Sequence, residues 1–334
     1  MAERVFSPSE LLALSGGYWP ACALHAGVML DVFTPLGQGT REGMTTSELA
    51  ATLDCDPRAL GMLLDALAAM GLLVKSGQTF DLGCSARELL VRTSPKYIGY
   101  IIRHHHRLMA SWSRLPEAVR TGEPIRSGAE RSDEDREDFL LGMYNLALAI
   151  APGLAKAIDL SGCERLLDLG GGPGTYAIHF CLANPGLRAT VFDLAGTKPF
   201  AKATITRLGV QDRVDFLAGD YLKDPVPGGF DVAWLSQILH AEGPEGCATI
   251  LGKAAGALKP GGLLFVHEFM LNDAMDGPEF PALFSLNMLL GTGAGRSYSE
   301  GQLRDMIARA GGRGIERLHF KGPNDSGVLR AVVG

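Results

Sequence analysis

The chain has 334 residues, 46% hydrophobic and 20% charged, with 43 glycines, which is enough apolar mass for a buried core and, by length, for two domains. Lys plus Arg number 31 against 37 for Asp plus Glu, a net charge of −6 without the basic excess of a dedicated nucleic-acid binder. The six cysteines, at 22, 55, 84, 163, 181 and 247, form no C-x-x-C pair, so no metal knuckle or disulfide framework is expected and the thiols read as reduced and cytoplasmic.

Residues 7 to 160 read as mostly helical, because apolar side chains recur at three- and four-residue steps through Leu11 to Val32, Leu49 to Leu53 and Leu60 to Leu73. The stretch Ala21 to Phe33 is too short to span a bilayer and carries His25 and Asp31, so neither secretion nor membrane insertion is expected. Thr45 with Glu48 makes a capping pair, Pro57 opens a second helix ending at Gly71, and Leu72 to Val74 with Thr79 to Leu82 makes a hairpin across Ser76-Gly77. Two helices and a hairpin give a winged helix. Residues 41 to 92 hold five basic side chains against seven acidic ones, which argues for packing and against DNA binding. Residues 122 to 138, ten of them charged, read as a solvated connection, followed by a helix from about Asp138 to Lys156.

From Arg165 the pattern changes: Leu166 to Leu169, Thr190 to Phe192, Val214 to Leu217, Phe230 to Leu235 and Leu263 to Val266 alternate with helical stretches. Such alternation predicts an α/β fold, a Rossmann-like, doubly wound, mostly parallel sheet. Ile315 to Phe320 and Val328 to Val333, joined by a short loop, add an antiparallel edge hairpin at the C-terminal end. The expected domains are 1–120, helical and winged-helix-like; 121–160, linker and connecting helix; and 161–334, the sheet.

The strongest local signal is Leu166-Leu167-Asp168-Leu169-Gly170-Gly171-Gly172-Pro173-Gly174, a strand entering a glycine turn and then a helix, where ligands approach backbone N–H groups. Asp193 ends the next strand, placed for a ribose, and Gly219-Asp220-Tyr221 follows the one after, placed for an adenine. Three strands thus end in polar groups at the edge where open α/β sheets bind ligands.

On these residues the chain resembles the class I S-adenosylmethionine-dependent methyltransferases. It is most similar to the two-domain O-methyltransferases of the plant caffeate and acetylserotonin type and their bacterial branch. The matching segments also include Thr46 to Ala50, Gly71 to Leu73, Phe139 to Ala147, Ser236 to His240 and Lys259 to Gly262. The resemblance implies S-adenosyl-L-methionine as cofactor, with Asp168 at the turn, Gly170 and Gly172 against its methionine portion and Asp193 on the ribose. It also implies Asp220 and Tyr221 at the adenine, Ser236 as a further contact, and a homodimer built by the N-terminal domain.

An activated sulfonium methyl needs an aligned nucleophile, and a phenol of pKa about 10 must lose its proton, which a neutral imidazole can take near pH 7. His240, after the run Phe230 to Leu235, matches the family's catalytic base, and Glu268 matches the carboxylate that orients it. Relatives carry Asp after this histidine and a second acid before the last helix, where this chain has Ala241 and Ser297. Phe139, Met143 and Met288 match pocket positions and imply a flat aromatic or polycyclic small-molecule acceptor methylated at a hydroxyl. His104-His105-His106 point to different sides of a helix, so no metal site is expected. Rival readings are methylation at carbon or nitrogen, cofactor binding without methyl transfer, and a winged-helix DNA-binding regulator. Neither nucleic acid nor membrane is an expected partner.

Overall fold

A computed structural model describes residues 4–39, 43–126, 132–320 and 322–334. The chain divides into two compact units, Met1–Leu108 and Met109–Gly334, the division falling within the helix Gly99–Trp112.

In the first unit, helices Pro8–Ser15, Tyr18–Met29 and Phe33–Gln38 precede the winged helix. Its helix Thr46–Leu53 begins with a reciprocal cap: the Thr45 hydroxyl accepts the Glu48 N–H while the Glu48 carboxylate accepts the Thr45 N–H. Asp56 caps Pro57–Ala69, whose Leu60, Leu64 and Leu67 repeat at helical spacing and are buried. Three short strands, β1 (Met44–Thr45), β2 (Leu73–Ser76) and β3 (Thr79–Leu82), form an antiparallel sheet in the order β1-β3-β2. The hairpin lies where the sequence put it, whereas β1, with two residues, is too short to show alternation. Among the described residues no single helix is long and apolar enough to cross a membrane.

The second unit is an eight-stranded sheet of β4 (Arg165–Leu169), β5 (Arg188–Asp193), β6 (Val214–Ala218), β7 (Phe230–Ser236), β8 (Leu258–Leu271), β9 (Tyr298–Ser299), β10 (Gly312–Arg317) and β11 (Ser326–Val333). The main path runs β10-β11-β8-β7-β4-β5-β6, with β9 pairing with β8. Strands β4 to β8 are mutually parallel and β11 runs against β8. Successive side chains of each strand enter opposite layers: Val232 and Trp234 join Ile178, Phe180 and Leu154, while Ala233 and Leu235 join Ile250, Leu251 and Leu303. Burial on both faces explains why these strands read as continuous apolar runs.

Four expectations need adjustment. The helix expected from Asp138 begins at Asp133, capped by Ser132, and breaks after Leu148 before resuming as Ala151–Ala157. The acids Asp133, Glu134 and Asp135, read as a solvated connection, favour a helix N-terminus instead, and Pro152 suits the first turn of the second piece. Residues 127–131 of that connection lie outside the described residues. β8 continues to Leu271 because β11 and β9 go on pairing with it. The first strand of the expected hairpin is Gly312–Arg317, and β11 lies inside the sheet, between β8 and β10, so of the hairpin's two strands β10 alone is at the edge.

Trp234 is completely buried, with Tyr176 and Phe180 rings 5.2 and 5.0 Å from its own. Trp234→Ala should lower the unfolding free energy by about 3–5 kcal/mol, read as a reduced urea midpoint.

Candidate functional site

The parallel strands all end at one edge of the sheet, and the candidate groups follow those ends. After β4 the chain makes the turn Gly170–Gly174, with φ of 71° at Gly170, 54° at Gly172 and 78° at Gly174, a region that L side chains rarely adopt. A Cβ on Gly170 would sit 2.7 Å from Ile238, and one on Gly171 would sit 2.5 Å from the Asp168 carboxyl carbon. At Gly172 the same position meets nothing within 4 Å, so this side of the turn is open for a ligand.

Asp168 itself is fully buried below the turn. Its Oδ2 accepts the Ala177 N–H at 3.2 Å from the first turn of helix Thr175–Ala183, and Oδ1 is buried with no partner in the described residues. Loss of hydration pushes its pKa up to about 7. Asp168, expected at the turn, lies beneath it and holds the helix that follows through the Ala177 N–H.

At the end of β5, Asp193 Oδ2 accepts the Gly172 N–H at 2.8 Å, while Oδ1 accepts the Leu194 N–H at 2.7 Å and the Thr197 hydroxyl at 3.1 Å. Burial raises its pKa, and these donors oppose the rise. Past β6, Asp220 is held below the usual carboxylate range, chiefly by the Leu222 N–H, with its side chain 26% exposed. Tyr221 beside it is half-buried, its phenol pushed up to about 12 by desolvation. Gly219 has no room for a side chain, because a Cβ would enter the Phe192 ring. An open glycine turn, two carboxylates and an aromatic face on successive strands fit an adenosyl ligand. Ser236 ends β7, half-buried, with its Oγ 2.9 Å from His267 Nδ1.

His240 lies beyond β7 in the short turn Leu239–Ala241. Its Nδ1 is 2.8 Å from Glu268 Oε2, and Glu268 Oε1 accepts the Leu239 N–H at 2.9 Å and the His240 N–H at 3.4 Å. One carboxylate therefore holds both the ring and the turn that carries it. With Nδ1–H donated to Glu268, Nε2 keeps its lone pair. The His240 side chain is 12% exposed and Glu268 3%. A loop locks the turn from outside: the Tyr298 hydroxyl donates to the Glu242 carbonyl at 2.6 Å, and a Cβ on Gly295 would sit 2.5 Å from the His240 carbonyl oxygen. Ser297 is fully buried, its N–H donated to Ser285 Oγ at 2.9 Å.

Sequence reasoning passed over the rings around His240. Phe284 meets it edge-on at 4.8 Å, Phe269 lies parallel at 6.2 Å, and Phe280 is 5.0 Å from Phe269. Phe280 and Phe284 sit one turn apart on helix Glu279–Gly291, and Met288 follows one turn later, buried. That spacing was the available signal. Phe139 and Met143 lie half-buried on helix Asp133–Leu148, which packs on Thr175–Ala183 and Lys198–Arg207.

Residues 12–92 match the O-methyltransferase dimerisation domain, and residues 115–313 the O-methyltransferase domain. The 3-hydroxy-5-methyl-1-naphthoate 3-O-methyltransferase of Streptomyces sahachiroi is 33% identical, over 97% of this chain and 95% of that one. The tetracenomycin polyketide synthesis 8-O-methyl transferase TcmO of Streptomyces glaucescens is also 33% identical, over 98% of both chains. The crystal structure of human N-acetylserotonin methyltransferase in complex with SAM aligns over 100% of each chain with a TM-score of 0.88 and 25% identity.

Because burial raises the Asp168 pKa, folding favours its protonated form, and stability is lost as pH rises from the unfolded value toward about 7. Asp168→Asn removes that dependence and keeps an acceptor for Ala177. Between about pH 5 and about pH 8, the wild type should lose roughly 1–3 kcal/mol relative to the variant in urea unfolding.

Proposed function

The chain belongs to the two-domain S-adenosylmethionine-dependent O-methyltransferase family, and on that premise we propose that it methylates a hydroxyl of an aromatic or polycyclic small molecule with His240 as general base. Gly170, Gly172, Asp193, Asp220, Tyr221 and Ser236, all in the sheet unit, would hold the cofactor, with Asp168 fixing the turn from below. The bound cofactor supplies an activated methyl group on a sulfonium centre. The protein's task is to orient the acceptor, exclude water and remove one proton.

The observation that carries this reading is the grip of Glu268 on His240. A carboxylate on Nδ1 fixes the tautomer, leaves Nε2 free to take the hydroxyl proton and stabilises the imidazolium that forms. The Phe269, Phe280 and Phe284 rings suit a flat acceptor beside that nitrogen, with Met288, Phe139 and Met143 as further pocket residues. The named naphthoate and polyketide substrates of the two Streptomyces relatives agree with such a pocket. Six free thiols fit a reducing compartment such as the cytoplasm.

His240→Ala should keep the affinity for S-adenosylhomocysteine while lowering turnover roughly 10²–10⁴-fold. Glu268→Gln should cost less, since the amide still orients the ring but cannot offset its charge. Near-normal turnover in His240→Ala would remove the base assignment and favour transfer driven by proximity alone.

The first unit is proposed to form the homodimer. Its N-terminal helices expose Leu12 at 73%, Leu14 at 69% and Trp19 at 68%, an apolar surface within the dimerisation match. Light scattering should give twice the chain mass, and Leu12→Glu with Trp19→Glu should shift it toward one chain. A wild-type monomer at micromolar concentration would contradict the assembly.

A further inference from the structure

On the sheet face opposite Glu268, a second histidine is unused by this chemistry. His267 is completely buried, paired across strands with Ser236, and packed among the rings of Tyr176, Trp234 and Phe320 at 5.7, 6.0 and 6.0 Å. Its Nδ1 is 2.9 Å from Ser236 Oγ and 3.4 Å from the Tyr176 hydroxyl, whereas Nε2 is buried with no partner in the described residues. Desolvation pushes its pKa down to about 4, so the ring is neutral in ordinary buffers.

The hydrogen bonds can be counted. A buried N–H without an acceptor is costly, so the single ring proton belongs on Nδ1, where Ser236 Oγ accepts it. The Tyr176 hydroxyl lies beside the same nitrogen. With Nδ1 occupied by its own proton, the Ser236 hydroxyl hydrogen has no acceptor on His267. Tyr176 is 8% exposed, whereas Ser236 is half-buried at the ligand edge of the sheet, so the surplus hydrogen leaves through Ser236.

Strand order says what it meets. Along β7-β4-β5-β6, the ribose carboxylate Asp193 ends β5 and the adenine groups Asp220 and Tyr221 follow β6. The methyl must face His240, which follows β7, so the amino-acid end of the cofactor belongs beside β7 and Gly170. Leu235 is registered with Leu169, which makes Ser236 the neighbour of Gly170.

We infer that His267 is a positioning residue that turns the Ser236 hydroxyl into a hydrogen-bond donor for the carboxylate of the bound methyl donor, an inference that rests on the cofactor reading above. Calorimetric titration with S-adenosylhomocysteine and with 5′-methylthioadenosine, which lacks the amino-acid carboxylate, separates the possibilities. His267→Leu should weaken S-adenosylhomocysteine roughly tenfold and leave 5′-methylthioadenosine unchanged. His267→Asn, whose amide N–H can replace Nδ1–H, should recover the loss. Ser236→Ala, a small change at the sheet edge, should reproduce the His267→Leu loss without depending on how well the core tolerates leucine. Equal weakening of both ligands, no rescue by asparagine, or unchanged affinity in Ser236→Ala overturns the inference while leaving the cofactor reading intact. Failure of the wild type to bind either ligand overturns both.

Discussion

Parallel strands leave a sheet in one direction, and that constraint places the glycine turn, Asp193, Asp220 and the His240 turn. Between Asp168 and Glu268 the sequence crosses the sheet repeatedly, yet each return delivers its next residues to the same edge. Neighbouring strands lie only about 4.8 Å apart, so groups far apart in sequence come within one ligand's length. The glycine turn, the Asp193 carboxylate and the His240 turn are consequences of where β4, β5 and β7 stop.

The buried polar groups behind that edge are managed in three different ways. Glu268 meets two backbone N–H groups and an imidazole nitrogen, so its lone pairs are well used despite burial. His267 avoids the cost of a buried charge by remaining neutral. Asp168 has one donor from Ala177 and an unpartnered oxygen, and protonation becomes its cheapest accommodation. These side chains tie strands to the turns beyond them, which is why polar atoms are retained inside an otherwise apolar sandwich.

Much of this was legible in the sequence. Fully buried parallel strands need unbroken apolar runs, so β4, β5 and β7 announced themselves, and the Thr45–Glu48 cap and Pro57 marked the winged helix. Features that depend on long-range pairing were not legible. Nothing local distinguishes an end of β8 at Val266 from its actual end at Leu271, because β9 and β11 decide it. Charge pattern alone misread the capped helix start at Ser132 as a connection. At the site, Asp193 and His240 stand where strand ends predicted, but the place of Glu268 inside a longer β8, the depth of Asp168 and the partnership of Ser236 with His267 need the pairing and packing of both sheet layers. The phenylalanine cluster was hidden because core and pocket residues share the same hydrophobic signature.

Helix Glu279–Gly291, which brings Phe280, Phe284 and Met288 to the His240 side, lies outside the strand ladder. Its C-terminal end is fastened by the Ile125 and Arg126 N–H groups on the Leu290 carbonyl and by the Arg126 guanidinium on Asn287. The Gly170–Gly174 turn and Asp193, by contrast, stand at strand ends whose register is fixed by the whole ladder. Side chains on that helix can therefore change one at a time without disturbing the register of the strand ends. A scaffold divided in this way has one part whose geometry many strands share and another whose surface a single helix sets.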